Sequence, residues 1–189
     1  DPIAAPLGPG TDTPPFPEGR FIKQRLNSPQ SPRFHAPHDC DVSHVSYISG
    51  DTWNVNPIAL KRVERLFCRN ERAVLSARLR RGNHPIAIVP VAAILVASIR
   101  LKFTDVLLHL KYRGPNEIPV DARFGKGEEM GGFQHGSTII LFVPAGFEFV
   151  DGITTGTRLR MGQALMTLPP QASARDGADS CEALERLAV

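Results

Sequence analysis

A chain of 189 residues with 22 Lys/Arg against 19 Asp/Glu has the size of one domain and a net charge of +3, too little to bind nucleic acid over its whole surface by phosphate neutralisation. Three cysteines, Cys40, Cys68 and Cys181, are odd in number and widely spaced, which argues against a disulfide framework and for a reducing compartment. The opening Asp-Pro-Ile-Ala shows no positive stretch followed by an apolar core, so no export signal is expected.

In chain order, residues 1–20 carry six prolines and three glycines, a density that denies the backbone regular hydrogen bonding and predicts a flexible arm. A folded domain is expected over 21–170. Asn56 and Pro57, followed by Ile58, Leu60, Val63, Leu66 and Phe67, predict a short capped helix. From Arg72 the apolar residues fall two apart at Ala73, Leu75, Ala77 and Leu79, which predicts a half-buried strand, and Gly82-Asn83 predicts a turn.

Ile86 to Ile99 is uncharged for 14 residues, short of the roughly 20 needed to span a membrane. Its Val and Ile content suits two buried strands broken near Pro90. Lys102 to Tyr112 fits either strand or helix. Thr138–Val143, Phe147–Val150 and Arg158–Leu168 are bounded by glycines or prolines and read as short strands. Residues 171–189 read as a frayed tail with at most one short helix over 181–187. The expected fold is mainly β with minor helix, in the α+β class.

Between Lys61 and Arg81 eight Lys/Arg meet only Glu64 and Glu71, a local excess of six positive charges. Such a stretch is either a solvated surface or a patch drawn to an anionic membrane. Nucleic acid is not an expected partner, because the stretch lacks interleaved aromatics beyond Phe67.

Two groups of residues could carry chemistry. His35, His38, Cys40 and His44 lie within ten residues, open to three readings: a metal site, an ordinary loop, or a catalytic histidine. With one cysteine and no second ligand pair, the spacing is not that of a zinc site, and no metal is expected. The second group is Lys126-Gly127-Glu128-Glu129-Met130-Gly131-Gly132-Phe133-Gln134-His135-Gly136-Ser137-Thr138, leading into the apolar Ile139-Ile140-Leu141-Phe142. By composition it is a glycine-rich hairpin, without the order of a phosphate loop or a nucleophile elbow.

A Gly-Ser bond at the start of a strand has a further use. In a kinked backbone the serine hydroxyl can attack the preceding carbonyl, turning the amide into an ester, and glycine removes the obstructing side chain. Elimination then cuts the chain and leaves dehydroalanine, which hydrolyses to a pyruvoyl group. That ketone can form a Schiff base with a substrate amine and act as an electron sink for decarboxylation.

The segment 126–142 resembles the self-cleavage region of bacterial phosphatidylserine decarboxylase proenzymes, where a Gly-Ser-Thr triplet is processed. Arg33–Pro37, Gly50–Asn56, Leu66–Arg72 and Val96–Ile99 are similar to other segments of that family in the same order, so the resemblance covers about 33–168. It implies a barrel-sandwich-hybrid-like core and cleavage between Gly136 and Ser137 into a β subunit (1–136) and an α subunit (137–189). A homodimer of these heterodimers is the assembly it allows.

By the same resemblance Ser137 becomes the pyruvoyl group and His35 the base for self-cleavage. The implied activity is that of a carboxy-lyase converting phosphatidylserine to phosphatidylethanolamine and CO2 in phospholipid biosynthesis. The implied location is the cytoplasmic face of the bacterial membrane, held peripherally on an anionic surface.

The chain departs from the family pattern at Ser31-Pro32-Arg33, where the family carries Tyr-His-Arg, and no N-terminal acidic partner for His35 is matched. Two alternatives follow: a truncated, inactive member, or a non-catalytic binding module. The latter rests on Gly152–Leu165, which is similar to biotinyl- and lipoyl-type domains. Those domains present a lysine, and none follows Lys126.

Overall fold

The structure is a computed structural model that describes residues 7, 16, 18–26, 32–53, 62, 66–93, 98–109, 112–133, 137–170 and 186–188. It is mainly β, as the composition of the second half implies. In chain order the elements are β1 (Arg20–Arg25), β2 (Arg33–His35), β3 (Cys40–Ile48), helix α1 (Leu66–Arg69), β4 (Arg72–Leu79), β5 (Pro85–Val91), β6 (Ser98–Leu101) and β7 (Leu107–His109). There follow β8 (Glu117–Phe124), β9 (Glu129–Phe133), β10 (Thr138–Val143), β11 (Glu148–Phe149), β12 (Ala164–Thr167) and β13 (Arg186–Ala188).

Three antiparallel sheets result: a six-stranded sheet in the order β1-β10-β5-β4-β3-β8, a four-stranded sheet β2-β9-β6-β7, and a small sheet β11-β12-β13. The main core includes the odd-numbered residues of β4 and β10 (Ala73, Leu75, Ile139, Leu141) together with Phe34, Ile99, Leu101, Met130 and Phe133 of the four-stranded sheet. Strand alternation sends the even-numbered residues to the other face of the large sheet. There Val74, Val89, Val91, Ile140 and Phe142 form a second apolar cluster.

That second face corrects two expectations. β4 is not half-buried, since all its residues except Arg78 are buried; a central strand covered on both faces keeps apolar residues in both phases. The arm over 1–20 is anchored at two points, because Leu7 and Phe16 are buried in the second cluster and the Phe16 ring stacks on Phe142 at 6.1 Å. The surrounding prolines do not prevent burial at these two positions. The remaining residues of 1–17 lie outside the described ones.

Pro90 does not break its strand. It lies within β5 opposite Ile139 of β10, while the pairing with β4 runs from Arg72↔Val91 to Leu75↔Ile88. The ladder gap therefore falls where proline has no N–H to give. At Gly82-Asn83 the expected turn is present, with φ of 69° and 51°. Of the predicted helix only α1 and Arg62 are described, and Asn56 and Pro57 lie outside. Arg186–Ala188 is strand, paired with β12, where the tail was expected to be frayed or briefly helical.

The glycine-rich segment is not a hairpin. β8 belongs to the six-stranded sheet, β9 to the four-stranded sheet and β10 again to the first, so the chain crosses between sheets at both ends of β9. Gly131 lies inside β9, and a Cβ there would sit 2.3 Å from the Arg100 carbonyl oxygen and 2.7 Å from the Phe34 ring. Close packing of β2, β9 and β6 requires that glycine, not a turn.

Candidate active site

Ser137 immediately precedes β10 and is only 2% exposed. Its carbonyl accepts a hydrogen bond from the Leu26 N–H at 2.9 Å, which extends the β1–β10 ladder by one step. Thr138 lies opposite Val91, and Val91 opposite Arg72. Continuing this register places Ser137 opposite Ala92, whose N–H bonds to the Glu71 carbonyl at 2.9 Å. Ser137, Ala92 and Glu71 thus form one row, with Ser137 and Glu71 two strand spacings or about 10 Å apart. Gly136, the other residue of the expected cleavage pair, lies outside the described residues.

Two segments singled out from the sequence meet at this end of the sheet. Asp51 donates its N–H to the Arg69 carbonyl at 2.8 Å, and Glu71 donates to the Asp51 carbonyl at 2.8 Å. The buried Asn70 amide donates to the Trp53 and Ala92 carbonyls at 2.7 and 2.9 Å and accepts from the Trp53 N–H at 3.0 Å. Asn70 therefore ties the 50–53 loop to the end of β5, next to the strand that carries Ser137.

Glu71 is wholly buried, and burial raises its pKa. Tyr47 Oη lies 2.9 Å from Glu71 Oε1 and 3.0 Å from the His109 carbonyl oxygen, yet a phenol has one proton. Both contacts are satisfied together when Glu71 is protonated and donates to Tyr47 Oη while Tyr47 donates to His109. Glu71 Oε2 is buried without a hydrogen-bond partner, a state tolerable for a neutral acid and costly for a carboxylate.

His35 ends β2, opposite Glu129 of β9 and just past a bulge at Phe34/His35. Glu129 holds Arg33 at 2.8 Å and Lys102 at 2.9 Å. Burial opposes its ionisation, but these two cations outweigh that and keep its carboxyl below the usual range. For His35, burial lowers the pKa and Arg33 and Lys102 add to the effect, against the raising influence of Glu129. The imidazole is therefore neutral at neutral pH. Among the described residues no hydrogen bond joins His35 to Ser137.

What relates the two residues is a cleft of about 1230 Å³. His35, Arg33 and Phe34 wall one side, and Leu26 and Ile139, the neighbours of Ser137 across the ladder and along β10, wall another. The 153–159 stretch closes a third side, and Ile88 and Leu141 give an apolar floor. Arg33 and Arg158 line the cleft, and its described lining contains no Asp or Glu; Lys23 and Arg25 touch it only from the edge strand β1, since they pair with Ile140 and Thr138 on the other face and Lys23 lies over the Phe67 ring at 5.1 Å. Sequence reading missed Arg158, although the alternation over 158–160 was there to be seen.

Two other candidates dissolve. The histidine and cysteine group is dispersed: His44 pairs with Glu117 at 2.6 Å on the sheet edge, His35 belongs to the other sheet, and burial pushes the Cys40 thiol up to about 12. Among the described residues no three His, Cys, Asp or Glu side chains gather as metal ligands. The basic stretch 61–81 is not one patch either. Arg72 is buried, donating to the Cys68 and Asn70 carbonyls at 2.7 and 3.1 Å. Arg69 ends α1 before β4 begins, and Arg78 lies near the far end of β4, about 20 Å from Arg72 at the rise of a strand.

A buried serine opening an inner strand of a six-stranded sheet, beside a cleft lined by Arg33, Arg158 and His35, defines a β-rich protein with a candidate site at that serine. The family model described as phosphatidylserine decarboxylase matches residues 3–167. A phosphatidylserine decarboxylase proenzyme of Brevibacillus brevis is 34% identical over 152 residues, 79% of this chain and 54% of the relative. Its counterpart in Saccharophagus degradans is 36% identical over 165 residues, 83% of this chain and 56% of the relative. That of Aliivibrio fischeri is 35% identical over 158 residues, with 78% and 53% covered.

The chain belongs to the phosphatidylserine decarboxylase family. It spans about half the length of the curated relatives it matches. The match reaches back to residue 3, well before the first segment whose resemblance is visible by eye, and takes in the anchoring residues Leu7 and Phe16. Among the described residues no helix is long and apolar enough to cross a membrane.

Proposed function

We propose that this chain is the processing core of a phosphatidylserine decarboxylase, cleaving itself between Gly136 and Ser137 and then releasing CO2 from a serine phospholipid to leave phosphatidylethanolamine. The observation that carries the reading is the placement of Ser137, buried at the start of β10 beside a cleft whose described lining holds Arg33 and Arg158 and no carboxylate. In this reading the Ser137 hydroxyl attacks the Gly136 carbonyl, and elimination from the ester cuts the chain. Hydrolysis of the resulting dehydroalanine, with loss of ammonia, leaves a pyruvoyl group.

His35 is the base that takes the hydroxyl proton, a role suited to an imidazole kept neutral by burial. The surroundings fit the group: Ser137 is shielded from water, and its neighbours Leu26 and Ile139 front the cationic cleft. Bound to a substrate amine, the pyruvoyl carbonyl supplies an electron sink for the departing CO2. Arg33 and Arg158 hold the phosphodiester and carboxylate by charge-assisted contacts, and the apolar floor accepts the glycerolipid stem. Residues 1–136 and 137–189 are then the β and α subunits. The assembly is a homodimer of such pairs, held peripherally on the cytoplasmic side of a bacterial membrane.

The test is intact mass of the purified chain with time. Two fragments meeting at Gly136/Ser137, the smaller one blocked at its N-terminus and reactive toward hydrazines, support the reading. A full-length chain that persists, or fragments that survive Ser137→Ala, overturns it. Release of CO2 from phosphatidylserine micelles by the cleaved protein tests the second step.

A further inference from the structure

His35 owes its surroundings to an irregularity in the four-stranded sheet. The β2–β9 register runs Arg33↔Gly132 and Phe34↔Gly131, then skips Met130 and pairs His35 with Glu129. In unbroken register His35 would oppose Met130, which is wholly buried in the main core. The extra residue leaves Met130 in the core and brings His35 across from Glu129, on paired strands whose opposed side chains share a face.

Two cations converge on the same oxygen of that carboxylate. Arg33 Nη1 and Lys102 Nζ lie 2.8 and 2.9 Å from Glu129 Oε2. They arrive from opposite sides of β9, Arg33 from β2 and Lys102 from just past β6, where its N–H donates to the Met130 carbonyl at 2.9 Å. The Arg33 stem passes over Gly132, where a Cβ would stand 3.5 Å from its Cγ, so the missing side chain keeps the path to Glu129 open. The Glu129 side chain is 19% exposed, against 61% for Arg33 and 53% for Lys102. Water therefore screens the two cations more than the carboxylate between them.

We infer that Glu129 is the acidic partner of His35, a positioning residue that draws Arg33 and Lys102 onto itself and so sets the charge around the imidazole. Burial is the main influence that keeps His35 neutral; Glu129 opposes it, and Arg33 and Lys102 reinforce it. Three further charged groups stand nearby. Arg100 lies in one row with Gly132 and Arg33, Arg158 faces the cleft from the 153–159 stretch, and Glu128 Oε2 accepts from the Gly125 N–H at 2.9 Å. Without the Glu129 charge the balance at His35 turns cationic, and the imidazole becomes a weaker base for the Ser137 hydroxyl. The inference rests on the reading above, in which His35 is that base.

The experiment follows the His35 Cε1–H resonance from pH 4 to pH 8 in the full chain carrying Ser137→Ala, which holds it uncleaved; loss of the peak in His35→Gln assigns it. Glu129→Gln is nearly isosteric and still accepts from Arg33 and Lys102, and it is expected to lower the titration midpoint by about 0.5–1 pH unit. Lys102→Gln removes a cation and is expected to raise the midpoint by about 0.3 unit. Glu129→Asp keeps the charge and is expected to stay within about 0.3 unit of the parent. With Ser137 restored, the midpoint of self-cleavage should move in the same directions, and Glu129→Gln should cleave about threefold more slowly at its plateau.

A His35 midpoint that ignores Glu129→Gln, or rises with it, overturns the inference whatever the cleavage does. So does an equal drop in Glu129→Asp, which would make the effect one of packing rather than charge. A resonance that shifts as expected while the cleavage profile stays in place upholds Glu129 as the partner and removes His35 as the base. The same shift in a chain that never cleaves sinks the pyruvoyl reading and leaves the Glu129–His35 pair standing.

Discussion

Replacing Glu71 with glutamine tests the buried acid that sits two strands from Ser137. The neutral amide reproduces the hydrogen-bonding role assigned to protonated Glu71: it donates to Tyr47 Oη, which donates in turn to the His109 carbonyl. In the parent chain the folded-state pKa of Glu71 lies above its ordinary value of 4.5. A group raised in this way contributes stability that is fully present below the unfolded value and is lost as pH rises through the folded one. One proton gives a slope of at most about 1.4 kcal/mol per pH unit. Above pH 4.5 the parent chain therefore loses stability relative to Glu71→Gln as pH rises, until the folded-state pKa is passed.

Denaturant unfolding of both proteins from pH 4 to pH 8 reads this as a difference curve. It should be nearly flat below 4.5, with Glu71→Gln within about 1 kcal/mol of the parent, and then move in favour of the variant. A difference that stays level, or one that moves in favour of the parent as pH rises, shows Glu71 ionised in the folded protein and refutes the hydrogen-bond chain.

Tyr47→Phe strips Glu71 of its phenol partner and is expected to cost about 1–3 kcal/mol by equilibrium unfolding at pH 5; a loss under about 0.5 kcal/mol would assign that partner no energetic role. His35→Ala should slow self-cleavage, and in the parent chain the cleavage rate should reach its half-maximum below pH 6.5, because burial lowers the imidazole pKa and the neutral form is the base. A profile centred at or above 6.5 would remove His35 from that role. Gly131→Ala forces a Cβ to within 2.3 Å of the Arg100 carbonyl oxygen, for an expected loss of about 1–3 kcal/mol measured as a shift in denaturant midpoint. Phe16→Ala should cost about 3 kcal/mol and expose 1–20 to limited proteolysis, while an unchanged cleavage pattern would show that the arm is not held through this ring.

Several elements were legible because their residues carry local patterns. β10 is an uninterrupted apolar run, Gly82-Asn83 takes the left-handed conformations such a pair favours, and the short glycine-bounded strands follow from turn chemistry. β3 escaped notice because a bulge between Val42 and His44 shifts its register, which breaks the period of two in the middle of the strand. β8 was readable, with Ile118, Val120, Ala122 and Phe124 alternating inward, but Pro119 disguised it. That proline sits on a sheet edge, where the missing N–H costs nothing.

By itself the amino-acid order determined the family and the mainly β class and singled out Gly136-Ser137-Thr138, since each depends on residues adjacent in the chain or on periods of two. The tertiary structure alone decided that β9 crosses between sheets, that Arg72 and Glu71 are buried rather than part of a basic patch, and that Arg33, His35 and Arg158 converge on one cleft. The reason is physical: charge and burial at a site are set by strand order and register, which bring together residues more than a hundred positions apart, and no local pattern encodes which face of which sheet they will share.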